Sequence, residues 1–307
     1  MERKIYLNDV RKALEEAYEA VKNINEGQID ARNTEAKAGQ FAITVTLADG
    51  TTISHGDDDV KSPMADIVKI PLSSVLFTQN SAEELVKKSG MCPCTGVEKK
   101  PKHIGARGIR AFSAVQPVGD ADSKWDIFVN RTIDMMADEA PVLNDKLYQA
   151  EKKAAEENQV VNQLADADFY LYDDATLSLD LYTRARALTA STRQLAMMGA
   201  TIAADGVNPA TEKVVYDGRI TQNIVALMAA KGPHKMNAPW LVLAGLPAKR
   251  SWGGAIVGVM PGVLSVAAYA PELNAAGVSV KAARAIIEFM QRLELSVFAS
   301  AHVEIVK

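Results

Sequence analysis

From Asn8 onward the apolar residues Val10, Leu14, Ala17, Val21 and Ile24 return at helical spacing, so the chain opens with an amphipathic helix whose stripe needs a partner surface. Phe41, Ile43, Val45 and Leu47 then alternate with smaller or polar residues, and an Asp49-Gly50 turn leads into Thr51, Thr52 and Ile53, which predicts a β-hairpin. From Pro71 to Lys231 helical periodicity dominates, in SAEELVKK, SKWDIFVNRTIDMMAD, DKLYQAEKKAAEENQVVNQLAD and SLDLYTRARAL. After Pro239 the pattern reads as strands, WLVLAGLP, GGAIVGVMPG and VLSVAAYAPEL, whose closely spaced Gly and Pro turns favour antiparallel neighbours. Val280 to Leu293 closes the chain with a helix carrying Ala283, Ile286, Ile287, Met290 and Leu293 on one face, able to pack beside the first. The expected fold class is α+β, as one domain. An antiparallel sheet from about 1–65 and 236–307, flanked by the N- and C-terminal helices, brackets an inserted helical lobe from about 66–235. Ligand sites favour such junctions, which directs attention to Ser62–Ser74, Lys231–His234 and Gly245–Gly254.

Composition narrows the function classes. With 34 Lys and Arg against 38 Asp and Glu, the net charge of −4 excludes a nucleic-acid binder driven by bulk charge. The first twenty residues are charged throughout and lack the apolar core of a secretory signal, and no later stretch is apolar for long enough to span a membrane, so a cytoplasmic location is expected. Cys92 and Cys94 are too close in sequence to staple distant parts of a fold, which fits a reducing compartment. With His103 they offer three metal ligands, but the one-residue spacing and the lack of a further Cys or His pair favour loop thiols, so no metal is expected. Gly245, Gly253, Gly254 and Gly258 follow no phosphate-loop or dinucleotide spacing and read as strand glycines, so no cofactor is expected either. His55 and His302 have no partner cluster nearby in sequence, and Met197 and Met198 read as helix core.

Three segments carry a more specific signal. GVNPATEKVV is similar to a GGVNPxTGExV turn, GLPAKRSWGGAIVGVMPG to a GLPAKSGVGGGIxxVxPG segment, and YAPELNAAGVSVKA to an SPPLDxxGNSVxG stretch. In these the chain resembles the serine-dependent glutaminases, whose fold is that of the β-lactamases and penicillin-binding proteins. The resemblance implies conversion of L-glutamine and water to L-glutamate and ammonia by an SxxK pair, the serine attacking the side-chain amide and the lysine taking its proton. The matching segment here is SPMADIVKIP: Lys69 holds the lysine position and Asp66 stands where the serine belongs. A carboxylate there forms no ester acyl-enzyme. One turn from a lysine it forms an ion pair, which keeps both groups charged and leaves the amine a poor base. Ser62 is too far from Lys69 along any shared helix, and Ser73, one turn beyond Lys69, reads as a helix-packing serine.

The resemblance implies roles for other positions. Tyr182 in LDLYTRA keeps a catalytic-centre tyrosine, while Glu151 and Asn158, on one helical face, match the pair that holds the substrate's amino and carboxylate ends. A family asparagine aligns with Gly105, a tyrosine with His234, an N-terminal tyrosine with Arg32, and the serine after GLPAK with Arg250, followed by Ser251 and Trp252. Trp252 is expected to fill space that the family leaves open on the oxyanion side, and Asp66, Lys69, His234 and Arg250 to offer a site for a small polar, anionic ligand. The expected function is that of a glutaminase-family protein with a divergent centre and weak or absent activity on free glutamine. The alternative is a catalytically inactive ligand-binding or assembly protein on the same fold. A third reading gives Asp66 a new role as nucleophile or base. A small amino-acid-like ligand and a homo-oligomer are the expected partners.

Overall fold

The computed structural model describes residues 2–88, 105–233 and 237–307. A short strand β1 (Glu2–Tyr6) leads into α1 (Leu7–Val21), followed by β2 (Gln28–Ile29) and the hairpin β3 (Ala42–Leu47) and β4 (Thr52–Gly56). The helical lobe contains β5 (Ser62–Pro63), a 3-10 turn (Ala65–Val68), α2 (Lys69–Gln79), α3 (Ala82–Lys88), α4 (Ala106–Ser113), α5 (Ala121–Met135), β6 (Val142–Leu143), α6 (Asp145–Glu157), α7 (Val160–Asp166), α8 (Ala175–Arg186) and β7 (Leu188–Ala190). Then come α9 (Thr192–Ala203), α10 (Thr221–Lys231) and α11 (Asn237–Ala244). The last part holds β8 (Ala248–Arg250), β9 (Ala255–Met260), β10 (Leu264–Tyr269), β11 (Glu272–Leu273), α12 (Val280–Arg292) and β12 (His302–Val306).

The main sheet has the order β4-β3-β10-β9-β8, with every pair antiparallel. Early and late strands meet at its centre, where Val45 faces Val266. Side-chain alternation divides the sheet between two cores. Ile43, Val45, Ile256, Val266 and Ala268 join Val10, Leu14 and Ala17 of α1 and Ile286 and Phe289 of α12. Val257, Val259, Ala267 and Tyr269 face the other way and join the lobe. Helix α9 covers that second face, where Thr192 Oγ1 bonds Thr44 Oγ1 at 2.9 Å, so even the threonines of β3 are buried. The terminal helices pack side by side as expected, with Arg292 Nη1 donating to Glu16 at 2.8 Å.

The structure corrects three expectations and adds one strand. WLVLAGLP is no strand: Trp240 to Ala244 complete α11, the Trp240 indole donates to the Leu246 carbonyl at 2.8 Å, and β8 begins only at Ala248. A short unbroken apolar run carries no periodicity that separates strand from helix. Gly245 accordingly sits at the helix end with φ 68°, where the left-handed backbone suits glycine. The long helix expected over 145–166 breaks at Asn158 and Gln159, the latter at φ 49°. Finally, the opening strand β1, parallel to β12, was not anticipated.

Within the lobe, Lys124 of α5 is fully buried and pairs with the Asp173 carboxylate just before α8. It also donates to the Ser113 carbonyl at 3.2 Å, which ties α4, α5 and the start of α8 together. Replacing one partner of such a pair strands the other charge in the interior. We therefore expect Lys124→Met to lower the unfolding free energy by about 3 kcal/mol in urea titrations; a change within about 0.5 kcal/mol would show that the pair contributes little to the lobe.

Candidate functional site

The centre begins at the junction of β5 and α2. Met64 N–H is held by the Leu188 carbonyl of β7 at 2.7 Å, and the next residue, Ala65, takes φ 45° in a fully buried position. That left-handed conformation costs a non-glycine residue about 1 kcal/mol. It turns the extended chain into the 3-10 turn that carries Asp66, with Lys69 following at the start of α2.

As the spacing predicts, Lys69 Nζ donates to Asp66 Oδ1 at 2.6 Å. Tyr182 of α8 donates its hydroxyl to the same oxygen at 3.2 Å. Its ring lies against Gly108 of α4, where a Cβ would come within 2.2 Å of the ring carbon, so α4 and α8 meet closely enough to fix the phenol. Burial would raise the Asp66 carboxyl, but the charges of Lys69 and Arg186 and the hydrogen bonds from Lys69 and Tyr182 outweigh it and hold the group well below the usual carboxylate range. Burial would lower Lys69, but Tyr182 and Asp66 reverse this and raise the ammonium above its usual value. With 31% and 29% of their side chains accessible, Lys69 and Asp66 remain within reach of a small solute.

A second cluster stands beside the first. Glu151 of α6 receives Arg186 Nε at 3.1 Å and Arg186 Nη2 at 3.2 Å, a two-pronged pair at the end of α8. Arg32, on the segment between β2 and β3, reaches the same carboxylate at 3.5 Å and is itself gripped by Asp30 at 2.7 and 2.9 Å. Its guanidinium lies 4.1 Å from the centre of the Trp252 ring. Trp252 is buried with Ala65, Leu147, Ala187 and Leu273, so the indole packs beside the residue that precedes Asp66. Asn33 Nδ2 donates to the Gly253 carbonyl at 3.2 Å and pins the Arg32 segment to the turn between β8 and β9.

The structure brings Asp66, Lys69, Tyr182, Glu151, Arg250 and Trp252 to this region, but it treats them differently. Arg250 gives its Nη atoms to the Gly277 and Ala276 carbonyls; burial lowers its guanidinium, against the opposing charge of Asp66. Asn158 caps α6, exposed, with its amide donating to the Ala154 carbonyl at 2.6 Å. Gly105 is buried at the start of α4. His234, Cys92, Cys94 and His103 lie outside the described residues. His55 of β4 leans against Tyr18, and His302 is exposed on β12. Among the described residues no group of His, Cys, Asp and Glu has the arrangement of a metal site. Sequence reading missed Arg186, although it stands four residues after Tyr182 and so on the same face of α8.

The nearby serines are otherwise engaged. Ser73 donates to the Lys69 carbonyl at 2.6 Å, Ser251 donates to the Pro63 carbonyl, and Ser62 is buried in β5 opposite Ala190. Fixed charges and aimed N–H groups equip the region to hold a small polar molecule, while a protonated Lys69 offers no proton acceptor at neutral pH.

These features define a β-lactamase-like fold with a polar centre at the sheet-lobe junction. A probable glutaminase, YbaS, is similar with a TM-score of 0.87 at 25% identity, covering 96% of this chain and 100% of that one. A probable glutaminase from Bacillus subtilis, complexed with 6-diazo-5-oxo-L-norleucine, matches with a TM-score of 0.81 at 21% identity over 95% of this chain and 96% of that one. A glutaminase of Bacteroides thetaiotaomicron is 35% identical over the full length of both chains, and glutaminase 1 of Escherichia coli O157:H7 is 29% identical over 95% of this chain and 98% of its own. The family model for Glutaminase matches residues 32–298, and the chain belongs to the glutaminase family.

Because the folded-state value of Asp66 is depressed, its pairing stabilises the protein above the unfolded-state value near 4 and is lost as pH falls through the lower folded value. Asp66→Asn is expected to cost about 1 kcal/mol at pH 7, with the gap to the parent closing as the pH is taken below about 4. Urea midpoints across that range check this; a gap that widens in acid would contradict the assignment.

Proposed function

We propose that this chain is a glutaminase-family protein whose centre has diverged toward ligand binding, with weak or absent release of ammonia from free glutamine. The observation that carries the reading is the 2.6 Å contact between Lys69 and Asp66, a carboxylate at the position where the resemblance places the attacking serine. An ionised carboxylate so held yields no ester intermediate, and its partner amine has no lone pair to offer. Trp252, buried beneath the Arg32 guanidinium, supports a pocket altered in shape as well as in chemistry. We assign Asp66, Lys69 and Tyr182 to the centre of this site and Glu151, Arg250 and Trp252 to its ligand-holding surroundings; for Asn158, Gly105 and His234 a ligand-holding role rests on the resemblance alone.

The ligand in this reading is small, polar and of amino-acid size. One neighbouring structure is described in its glutamate form, and a Bacillus subtilis glutaminase forms a covalent complex with 5-oxo-L-norleucine, which supports that size. We further read the chain as a single-domain, cytoplasmic homo-oligomer. Among the described residues no helix is long and apolar enough to cross a membrane. The apolar helix α11 leaves Val242 82% and Leu243 49% exposed, and Phe298 is 66% exposed, which favours a covered surface in an assembly.

Purified protein is expected to release ammonia from L-glutamine no faster than buffer alone; turnover at rates usual for enzymes, about 1 per second or more, would overturn the reading. Asp66→Ser is expected to remain inert because Trp252 and Arg32 still fill the site, and measurable turnover by that variant would mean that the pocket remains glutamine-shaped. Light scattering during gel filtration is expected to give a mass of at least two chains, shifting toward one in Val242→Glu; a monomeric parent protein would refute the assembly.

A further inference from the structure

The charges in this region do not cancel. Asp66 is taken by Lys69 and the Tyr182 hydroxyl, Glu151 by Arg186 and Arg32, and Asp30 by Arg32. Each carboxylate therefore already faces a cation. Arg250 is the cation of this set with no carboxylate partner among the described residues. Its Nη atoms are satisfied by backbone carbonyls, but its Nε is buried without an acceptor. Two residues on, Trp252 is only 7% exposed, and its indole Nε1 also lacks one. Buried N–H donors normally find acceptors. Two unsatisfied donors on one short segment, with a positive charge left over, point to an anionic acceptor supplied from outside.

An ammonium group meets the opposite situation. Glu151 accepts three N–H contacts from two guanidiniums, and Asp66 accepts from an ammonium and a phenol, so a ligand's amino group would have to displace one of them. Arg32 is the loosest of these partners, at 3.5 Å from Glu151 and with 44% of its side chain exposed. It acts as a built-in cation over the carboxylate that an amino acid would otherwise use.

We infer that the site takes a small carboxylate lacking an amino group, received by Arg250 Nε and Trp252 Nε1, and that Arg32 sets this preference by occupying Glu151. A planar carboxylate offers two oxygens to two N–H donors. The inference deepens the reading of the centre as a binding site and rests on it. Inorganic phosphate shares the charge but not the planarity, which makes it the discriminating control.

Isothermal titration of the full chain at pH 7 with glutarate, L-glutamate, L-glutamine and inorganic phosphate tests it. Glutarate is expected to bind about tenfold or more tightly than each of the other three. Trp252→Phe, which keeps the ring and removes the N–H, is expected to weaken glutarate about fivefold with the thermal midpoint nearly unchanged. Arg32→Ala is expected to bring L-glutamate to within about threefold of glutarate. The inference fails if either amino acid or phosphate binds as tightly as glutarate, if none of the four binds, if Trp252→Phe leaves glutarate affinity intact, or if Arg32→Ala leaves the preference unchanged. The ammonia assay separates the two claims: a protein that releases no ammonia yet prefers L-glutamate refutes this inference alone, whereas glutamine turnover refutes the underlying reading.

Discussion

The ammonium of Lys69 and the carboxylate of Asp66 share one turn at the start of α2, and the surrounding architecture holds them there in their charged forms. Ala65 gives up a favourable backbone conformation to aim the carboxylate, and Gly108 lets α4 approach until the Tyr182 ring has a single place to lie. Arg186 adds a second positive charge from the same helix as Tyr182. Opposite charges in partial burial reinforce each other's ionisation, so the ammonium of Lys69 is committed as the counter-ion of Asp66.

That commitment continues into the neighbouring residues. The Glu151–Arg186 fork joins α6 to α8, and Arg32 carries the network across to Trp252 and the turn between β8 and β9. The centre is thus assembled from the segment before the sheet, the lobe, and the strand at the sheet's edge. Its geometry depends on the lobe being docked, a condition to which the buried Lys124–Asp173 pair contributes from below α8.

Much of the fold was legible because its elements are periodic. The stripes of α1 and α12 and the alternation in β3 each specify a face, the apolar runs of β9 and β10 between Gly and Pro turns read as strands, and the structure buries them. WLVLAGLP carried no period to read, and β1 and β12 find one another across the whole chain through half-polar strands that reveal little alone. At the site, the Asp66–Lys69 contact followed from spacing within one turn. Arg186 was accessible by the same reasoning from Tyr182, four residues before it on α8. The stack of Arg32 on Trp252 joins residues that only the fold makes neighbours, so no local pattern announces it. Asn158 shows the limit of such patterns: its spacing from Glu151 is helical, yet its amide turns back to cap its own helix.

The order of strands in the main sheet has a kinetic corollary. β3 and β4 emerge early in synthesis, but β3 has its other edge closed only by β10, near the end of the chain. Until then the hairpin presents an open apolar edge while the entire lobe is being made. Long-range pairing of this kind slows folding and prolongs the time for which an aggregation-prone edge stays exposed. A truncated product that stops before β10 would keep all of the lobe's described helices and still have no completed sheet on which to set them.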